Sequence, residues 1–178
     1  MKPESEEIVL RGERFDVYRM TLAGSDGQSY QREVIRHPGA VVLLPLIDAD
    51  TVVMINNGRP TVGETLLELP AGTRDPNESP DVTAHRELIE ETGYRAGSIE
   101  CIAEFFSAPG ISDELMSLYV ARDLTQGQHA REAVEQIENR VVHRDEVARL
   151  LHDGEIRDGK TLIGLYAFLY SPRLNPTT

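Results

Sequence analysis

Two runs of β-branched and aliphatic residues, GAVVLLPLI at 39–47 and TVVMINN at 51–57, are separated only by Asp48, Ala49 and Asp50. Apolar runs this short, bounded by turn-forming residues, read as strands, and across so short a link they read as a hairpin with at least one buried face. Such a hairpin is not stable in water by itself. It requires neighbouring strands and a layer that covers its apolar face.

The remaining sequence supplies both. Upstream, EIVL, RFDVYRMTLA, the turn GSDGQ and SYQREVIRH alternate loosely between apolar and polar residues, which predicts an antiparallel meander over residues 1–37. Downstream, TLLELPAG reads as a short strand ending in a Pro-Ala-Gly turn, and SIECIAEFF, LMSLYVARDL and IENRVV as further strands. Ser79 suits an N-cap, Pro80 the first helical position and Gly93 a left-handed terminus, so a helix is expected from Pro80 to Thr92. RDEVARLLHDG and DGKTLIGLYAFLY read as two more helices. Because helices and strands do not alternate strictly, the expectation is an α/β chain with a mixed sheet covered by helices. The main domain would occupy residues 38–172, beside the meander 1–37 and a short tail, 173–178.

With 30 acidic against 18 basic side chains, the net charge of −12 disfavours nucleic acid and anionic membrane surfaces. Any anionic ligand must be met locally, by a few arginines or by a metal ion. The single Cys101 excludes an internal disulfide and, on an apolar stretch, is expected as a small core residue in a reducing compartment. The opening MKPESEEIVLRG lacks the apolar run of a signal peptide, and no later segment has the apolar length of a membrane span. A soluble, cytoplasmic protein is the expectation.

Against that background AHRELIEETGY, residues 84–94, is anomalous. On a helix Glu87 faces both Glu90 and Glu91, and these like charges repel at the end where the helix dipole favours cations. A solvated acidic face is one explanation. The other is that a hard divalent cation such as Mg²⁺, which takes oxygen ligands, is the missing partner.

The spacing favours the second. Gly72, Glu78, Arg86-Glu87, Leu88, Glu90-Glu91 and Gly93 resemble the Nudix box at every charged and glycine position, with Tyr94 where that family usually places an aliphatic residue. The resemblance implies an α/β/α sandwich with a loop-helix-loop metal site that hydrolyses a nucleoside diphosphate linked to another group. It makes Glu87 and Glu91 the principal Mg²⁺ ligands, with Mn²⁺ a possible substitute, assisted by Glu90 and the backbone of Ala71. It makes Arg86 the organiser of the glutamates, with Glu78 as its partner.

Outside the box, FFSAPGISDE, GAVVLLPL, GRPTVGETLLELPAG and DGEIRDGKTLIGLYAF resemble the ADP-ribose pyrophosphatase branch of that family. By that resemblance Arg59 contacts the diphosphate, as its planar fork suits, although Asn57 and Gly58 precede it where the branch has glutamine and a larger residue. Glu68, Pro109, Gly110 and Glu114 belong to the substrate pocket. Glu135, with Glu132 in reserve, handles the water from the loop GQHAREAVEQIE. His85 and His129 are read as surface and loop residues without a catalytic role. The branch exchanges its N-terminal meander between subunits, implying a homodimer; Phe15 and Tyr18 are read either as aromatic surface for a base or as strand-core residues. The expected reaction is Mg²⁺-dependent hydrolysis of ADP-ribose or a related nucleoside diphosphate sugar to a nucleoside monophosphate and a sugar phosphate. The alternatives are GDP-mannose or another sugar nucleotide as substrate, and a non-catalytic module that senses ADP-ribose.

Overall fold

The computed structural model describes residues 2–13, 15–128 and 137–174. Residues cluster into two compact units, Met1–Gly39 with Phe105–Met116, and Ala40–Glu104 with Ser117–Thr178.

The first unit carries an antiparallel three-stranded sheet of β1 (Ser5–Arg11), β2 (Asp16–Ala23) and β3 (Ser29–Arg36). The GSDGQ turn closes as its residue types suggest. Gly27 takes a positive φ of 76°, the Gly24 N–H donates to Gln28 O at 2.7 Å, and the Asp26 carboxylate accepts from the Gln28 N–H at 3.0 Å. No residue of these three strands is fully buried, and β1 is exposed along its whole length. The segment after Phe106 hooks onto the end of β3. The Ile35 N–H donates to Ile111 O at 2.8 Å, Arg36 pairs with Asp113 at 3.0 Å, and Arg36 also pairs with Glu6.

The second unit is built on the expected hairpin, β4 (Ala40–Asp48) and β5 (Thr51–Arg59), whose turn is held by the Asp50 N–H donating to the Asp48 carboxylate at 2.8 Å. To these are added β6 (Glu64–Glu68), β7 (Ala71–Thr73), β8 (Tyr94–Phe106), β9 (Leu115–Gln126) and β10 (Ile137–His143). The sheet is mixed and runs β10-β5-β4-β9-β8, with β6 on β5 and β7 on β4. Three α-helices accompany it among the described residues, α1 (Pro80–Glu87), α2 (Arg144–His152) and α3 (Gly159–Tyr170).

Strand alternation assigns the faces. Val41, Leu43, Tyr119 and Ala121 pack with Ala84 and Leu88 of the acidic helix. Leu118, next to Tyr119 and so on the opposite face, lies against α3 at Gly164, the one position where a Cβ would sit 2.3 Å from Leu69 Cδ1. Helices therefore cover the sheet on both sides, and the α/β/α sandwich expected from the sequence is present. Arg144 ties α3 to the hairpin, its guanidinium 4.3 Å above the Phe168 ring and hydrogen-bonded to the Asp50 carboxylate at 2.9 Å. No described helix is long and apolar enough to cross a membrane.

Three local expectations are corrected. The helix from Pro80 is α-helical only to Glu87, and Leu88–Thr92 form a π-helical turn. The strand expected from Ser98 begins at Tyr94, directly after the left-handed Gly93. Cys101, expected in the core, is exposed, because β8 is the last strand in the sheet order and most of its positions lie away from the core.

Phe168 is wholly buried under Arg144, so Phe168→Ala should cost about 3–5 kcal/mol in urea unfolding. Val62→Ala, at an exposed loop site, should stay within about 0.5 kcal/mol.

Candidate active site

Pairing of β7 with β4, Val42 to Ala71 and Val41 to Gly72, fixes the Pro-Ala-Gly turn against the sheet. The following loop is stapled internally: Arg74 donates to Glu78 O at 2.7 Å, Asn77 takes a positive φ of 66°, and the Asp75 N–H donates to Glu78 Oε2 at 3.2 Å. Ser79 then caps α1 from its side chain, and Pro80 starts the helix as the sequence predicts. In the π-turn the carbonyls are spaced for an i+5 donor, which widens the turn and rotates the residues after Glu87 relative to a regular helix. Glu91 and Thr92 are buried there, and the Ala71 N–H donates to Glu91 Oε2 at 2.8 Å. On the far side, Asn139 of β10 donates to Thr92 O at 2.7 Å.

Arg86 is the hub of the site. Its Nη1 reaches Glu87 Oε1 at 2.7 Å and Glu90 Oε2 at 2.8 Å, its Nη2 reaches Glu78 Oε2 at 2.9 Å and Thr73 O at 3.1 Å, and its Nε reaches Glu78 Oε1 at 3.2 Å. One guanidinium thus holds three carboxylates and a carbonyl, an arrangement that only a planar five-donor fork can make. The Glu78 hydrogen bonds push the proton affinity of Arg86 above its ordinary value, against the opposing effect of burial, with Glu87 and Glu90 adding to the rise. Glu78 is held down to about 2, first by Arg86, with burial opposing and with the Thr83 hydroxyl and the Asp75 N–H adding to the fall. Gly72 makes room for the cluster. A Cβ on it would fall 1.9 Å from the Glu87 carboxylate, so only a glycine lets that side chain lie across the backbone of β7.

Arg59, at the end of β5, makes a two-point contact with Glu68 of β6, Nε to Oε1 at 2.9 Å and Nη2 to Oε2 at 2.6 Å. The Glu68 hydrogen bonds raise its proton affinity against burial, and Glu91 and Asp158 act on it through space in the same direction. Arg59 therefore stands within electrostatic reach of the acidic helix.

Of the residues singled out in the sequence, the structure brings Ala71, Glu78, Arg86, Glu87, Glu90, Glu91, Arg59 and Glu68 into the second unit. Glu68, read as a pocket residue, is 1% exposed beneath Arg59. Pro109, Gly110 and Glu114 belong to the first unit, where Glu114 accepts from Ser107 and lies 3.5 Å from His37 Nδ1. His85 is exposed on α1. Glu132, Glu135 and His129 lie outside the described residues. Sequence reasoning missed Lys160 and Thr161, which meet Glu68 and Leu69 from the start of α3, and Asp158, which pairs with Lys160 behind them. The DGKT run was visible, but nothing local marks its lysine as a partner for a strand glutamate.

The donor set fits a hard divalent cation. Glu87 and Glu91 are carboxylates 8% and 4% exposed, close to one another in the chain, and buried anions of like sign require cationic compensation. Among the described residues no three Asp, Glu, His or Cys side chains are already arranged to hold a metal ion, and the three carboxylates that do converge meet on the Arg86 guanidinium.

A depressed carboxylate binds fewer protons folded than unfolded, so its contribution is complete above about 4.5, the ordinary value, and is lost as pH falls through about 2. Urea unfolding between those limits should show stability falling with pH, and Glu78→Gln should flatten that part of the profile.

Comparison with known proteins gives the family. The NUDIX domain model matches residues 36–163. The ADP-ribose pyrophosphatase of Bacillus subtilis is 33% identical over 171 residues, covering 95% of this chain and 91% of the relative. A methanol dehydrogenase activator of Bacillus methanolicus is 37% identical, covering 79% and 77%. A GDP-mannose pyrophosphatase of Citrobacter koseri is 32% identical, covering 88% and 86%. A crystal structure described as an ADP compounds hydrolase superposes with a TM-score of 0.80 at 24% identity, over 93% of this chain and 90% of that one, and shows the same fold. With its box residues gathered around Arg86 and its family model spanning most of the chain, this protein belongs to the Nudix family of hydrolases.

Proposed function

We propose that the chain hydrolyses the diphosphate linkage of ADP-ribose or a related nucleoside diphosphate sugar with Mg²⁺, releasing a nucleoside monophosphate and a sugar phosphate. The observation that carries this reading is the Arg86-centred carboxylate cluster within electrostatic reach of the half-exposed Arg59. Family members generally depend on divalent metals. Glu87, Glu91 and Glu90, with the backbone of Ala71, are the residues that would hold the ions. A divalent ion held there would supply charge neutralisation for the diphosphate and a more acidic water.

The chain's own residues do the rest. Arg59 presents its fork to the diphosphate, a two-point contact that a net charge of −12 otherwise discourages. Arg86 holds Glu87 and Glu90 on one nitrogen, with the Glu87 carboxylate lying over Gly72. By resemblance to the ADP-ribose pyrophosphatase branch, Glu135, or Glu132, takes the role of orienting the water. The names of the relatives support both ADP-ribose and GDP-mannose as substrate classes. The exposed, unpaired Cys101 is consistent with a cytoplasmic site of action.

We also propose a homodimer through the N-terminal sheet. Ile8, Val9, Leu10 and Tyr30, on strands without a buried residue, and Phe15 just before β2 are 38–56% exposed, and large apolar side chains left in solvent this way suit an interface. Sedimentation equilibrium should give twice the 19.8 kDa chain mass, and a monomer at micromolar concentration would overturn the assignment.

The enzymatic reading is tested with a panel of nucleoside diphosphate sugars incubated with Mg²⁺ or Mn²⁺ and resolved by chromatography. Cleavage of ADP-ribose or GDP-mannose, abolished by chelation, is the expected result. Tight binding of ADP-ribose without cleavage would point instead to a sensing module. Glu91→Gln should lower kcat by more than about 100-fold, beyond what loss of an outer-shell partner produces, while leaving the urea midpoint close to wild type.

A further inference from the structure

The acidic cluster is one centre of charge in this unit. The second is a chain of four ionised side chains that starts at Arg59 and passes through the buried Glu68. Arg59 is 35% exposed in its side chain, Glu68 1%, Lys160 11% and Asp158 18%. Glu68 Oε2 accepts from Arg59 Nη2 at 2.6 Å and from Lys160 Nζ at 2.7 Å, and Lys160 Nζ reaches Asp158 Oδ2 at 2.9 Å. Asp158 ends the chain at the amino terminus of α3, accepting there from the Thr161 N–H at 2.9 Å and from the Thr161 hydroxyl. The signs alternate along the chain, cation, anion, cation, anion, with Glu68 the most buried member, and the last anion rests on the positive end of a helix.

This order has an electrostatic consequence. A buried Glu68 paired only with Arg59 would neutralise that arginine and hold its donors inward. With Lys160 sharing Oε2, the Glu68 charge is divided between two cations. The helix terminus in turn takes part of the Asp158 charge, so Lys160 is not fully cancelled from behind. Arg59 keeps more of its charge for an anion arriving from solvent, with its guanidinium plane fixed by the two-point contact beneath it. A mechanical link accompanies the electrostatic one. The Thr161 hydroxyl accepts from the Leu69 N–H at 2.9 Å, and two residues further on the Ala71 N–H donates to Glu91. The start of α3 therefore holds the Glu68–Leu69 end of the segment that leads from Arg59's partner to the acidic helix, and Glu91 holds its Ala71 end.

We infer that Lys160, backed by Asp158, is a positioning residue for diphosphate recognition, holding Glu68 so that Arg59 is aimed and charged toward the substrate. The inference rests on the proposed diphosphate hydrolysis and adds residues from α3 to it. Lys160 touches no substrate in this role and acts through Glu68.

The test is a double-mutant cycle in the full-length protein. Lys160→Met retains the aliphatic stem and removes the charge. It should raise KM for the preferred nucleoside diphosphate sugar about tenfold, the size expected for losing a hydrogen bond between ionised groups, with kcat held within about twofold. Lys160→Arg should recover most of the loss. In an Arg59→Ala background, Lys160→Met should change KM by less than about twofold, because the side chain it positions is gone. Equal effects of Lys160→Met with and without Arg59 would overturn the inference, as would an unchanged KM. A parallel titration of ADP by calorimetry, in the presence of a chelator, separates this inference from the functional reading. Weaker ADP binding by Lys160→Met than by wild type supports the positioning role even if no panel substrate is cleaved, and equal binding refutes it.

Discussion

The fork of Arg86 is the interaction on which the active centre depends. Three glutamates on one short stretch of chain would repel one another at the wrong end of a helix dipole. Arg86 resolves that conflict by engaging Glu78, Glu87 and Glu90 together and by reaching back to Thr73 O. It thereby joins the loop, the helix and β7 through a single side chain. Removing it would leave partly buried carboxylates without their common cation, a change far costlier than the loss of a surface ion pair. The glycine at position 72 is the steric counterpart of the same arrangement, since the space its missing side chain leaves is filled by Glu87.

The π-turn has a related cause. An i+5 turn lengthens the repeat after Glu87, and its residues lie between the Ala71 N–H on one side and Asn139 of β10 on the other. Tertiary hydrogen bonds from two different strands thus fix the carboxyl end of the acidic helix, where propensity alone would favour a regular α-helix. The acidic residues are held by the sheet as much as by their own helix.

How much of this was legible in the sequence depended on whether the signal was local. The hairpin, the Ser79-Pro80 start and the left-handed Gly93 are set by neighbouring residues, and each appears where its residue types place it. The grouping of Glu78, Arg86, Glu87 and Glu90 followed from helical spacing and from the family pattern. The π-turn was not legible, because a single added residue does not disturb a period of 3.6 enough to be read from one sequence. Cys101 was misread because apolar neighbours do not reveal that a strand lies at the sheet edge. Lys160 escaped notice because its partner, Glu68, is 92 residues away. The division of the chain placed Pro109, Gly110 and Glu114 with the N-terminal strands, a grouping that only the tertiary contacts disclose.

The contacts made by the start of α3 also bear on the order in which the protein matures. During synthesis the sheet strands and the acidic helix leave the ribosome well before residues 158–161, and folding can begin on what has emerged. Until those last residues arrive, Glu68 has no lysine beside it and the Leu69 N–H has no hydroxyl to meet. A nascent chain that already contains every acidic residue of the box is therefore still unfinished at Arg59. The support beneath Arg59 is thus completed only when residues 158–161 have been synthesised, after every acidic residue of the box.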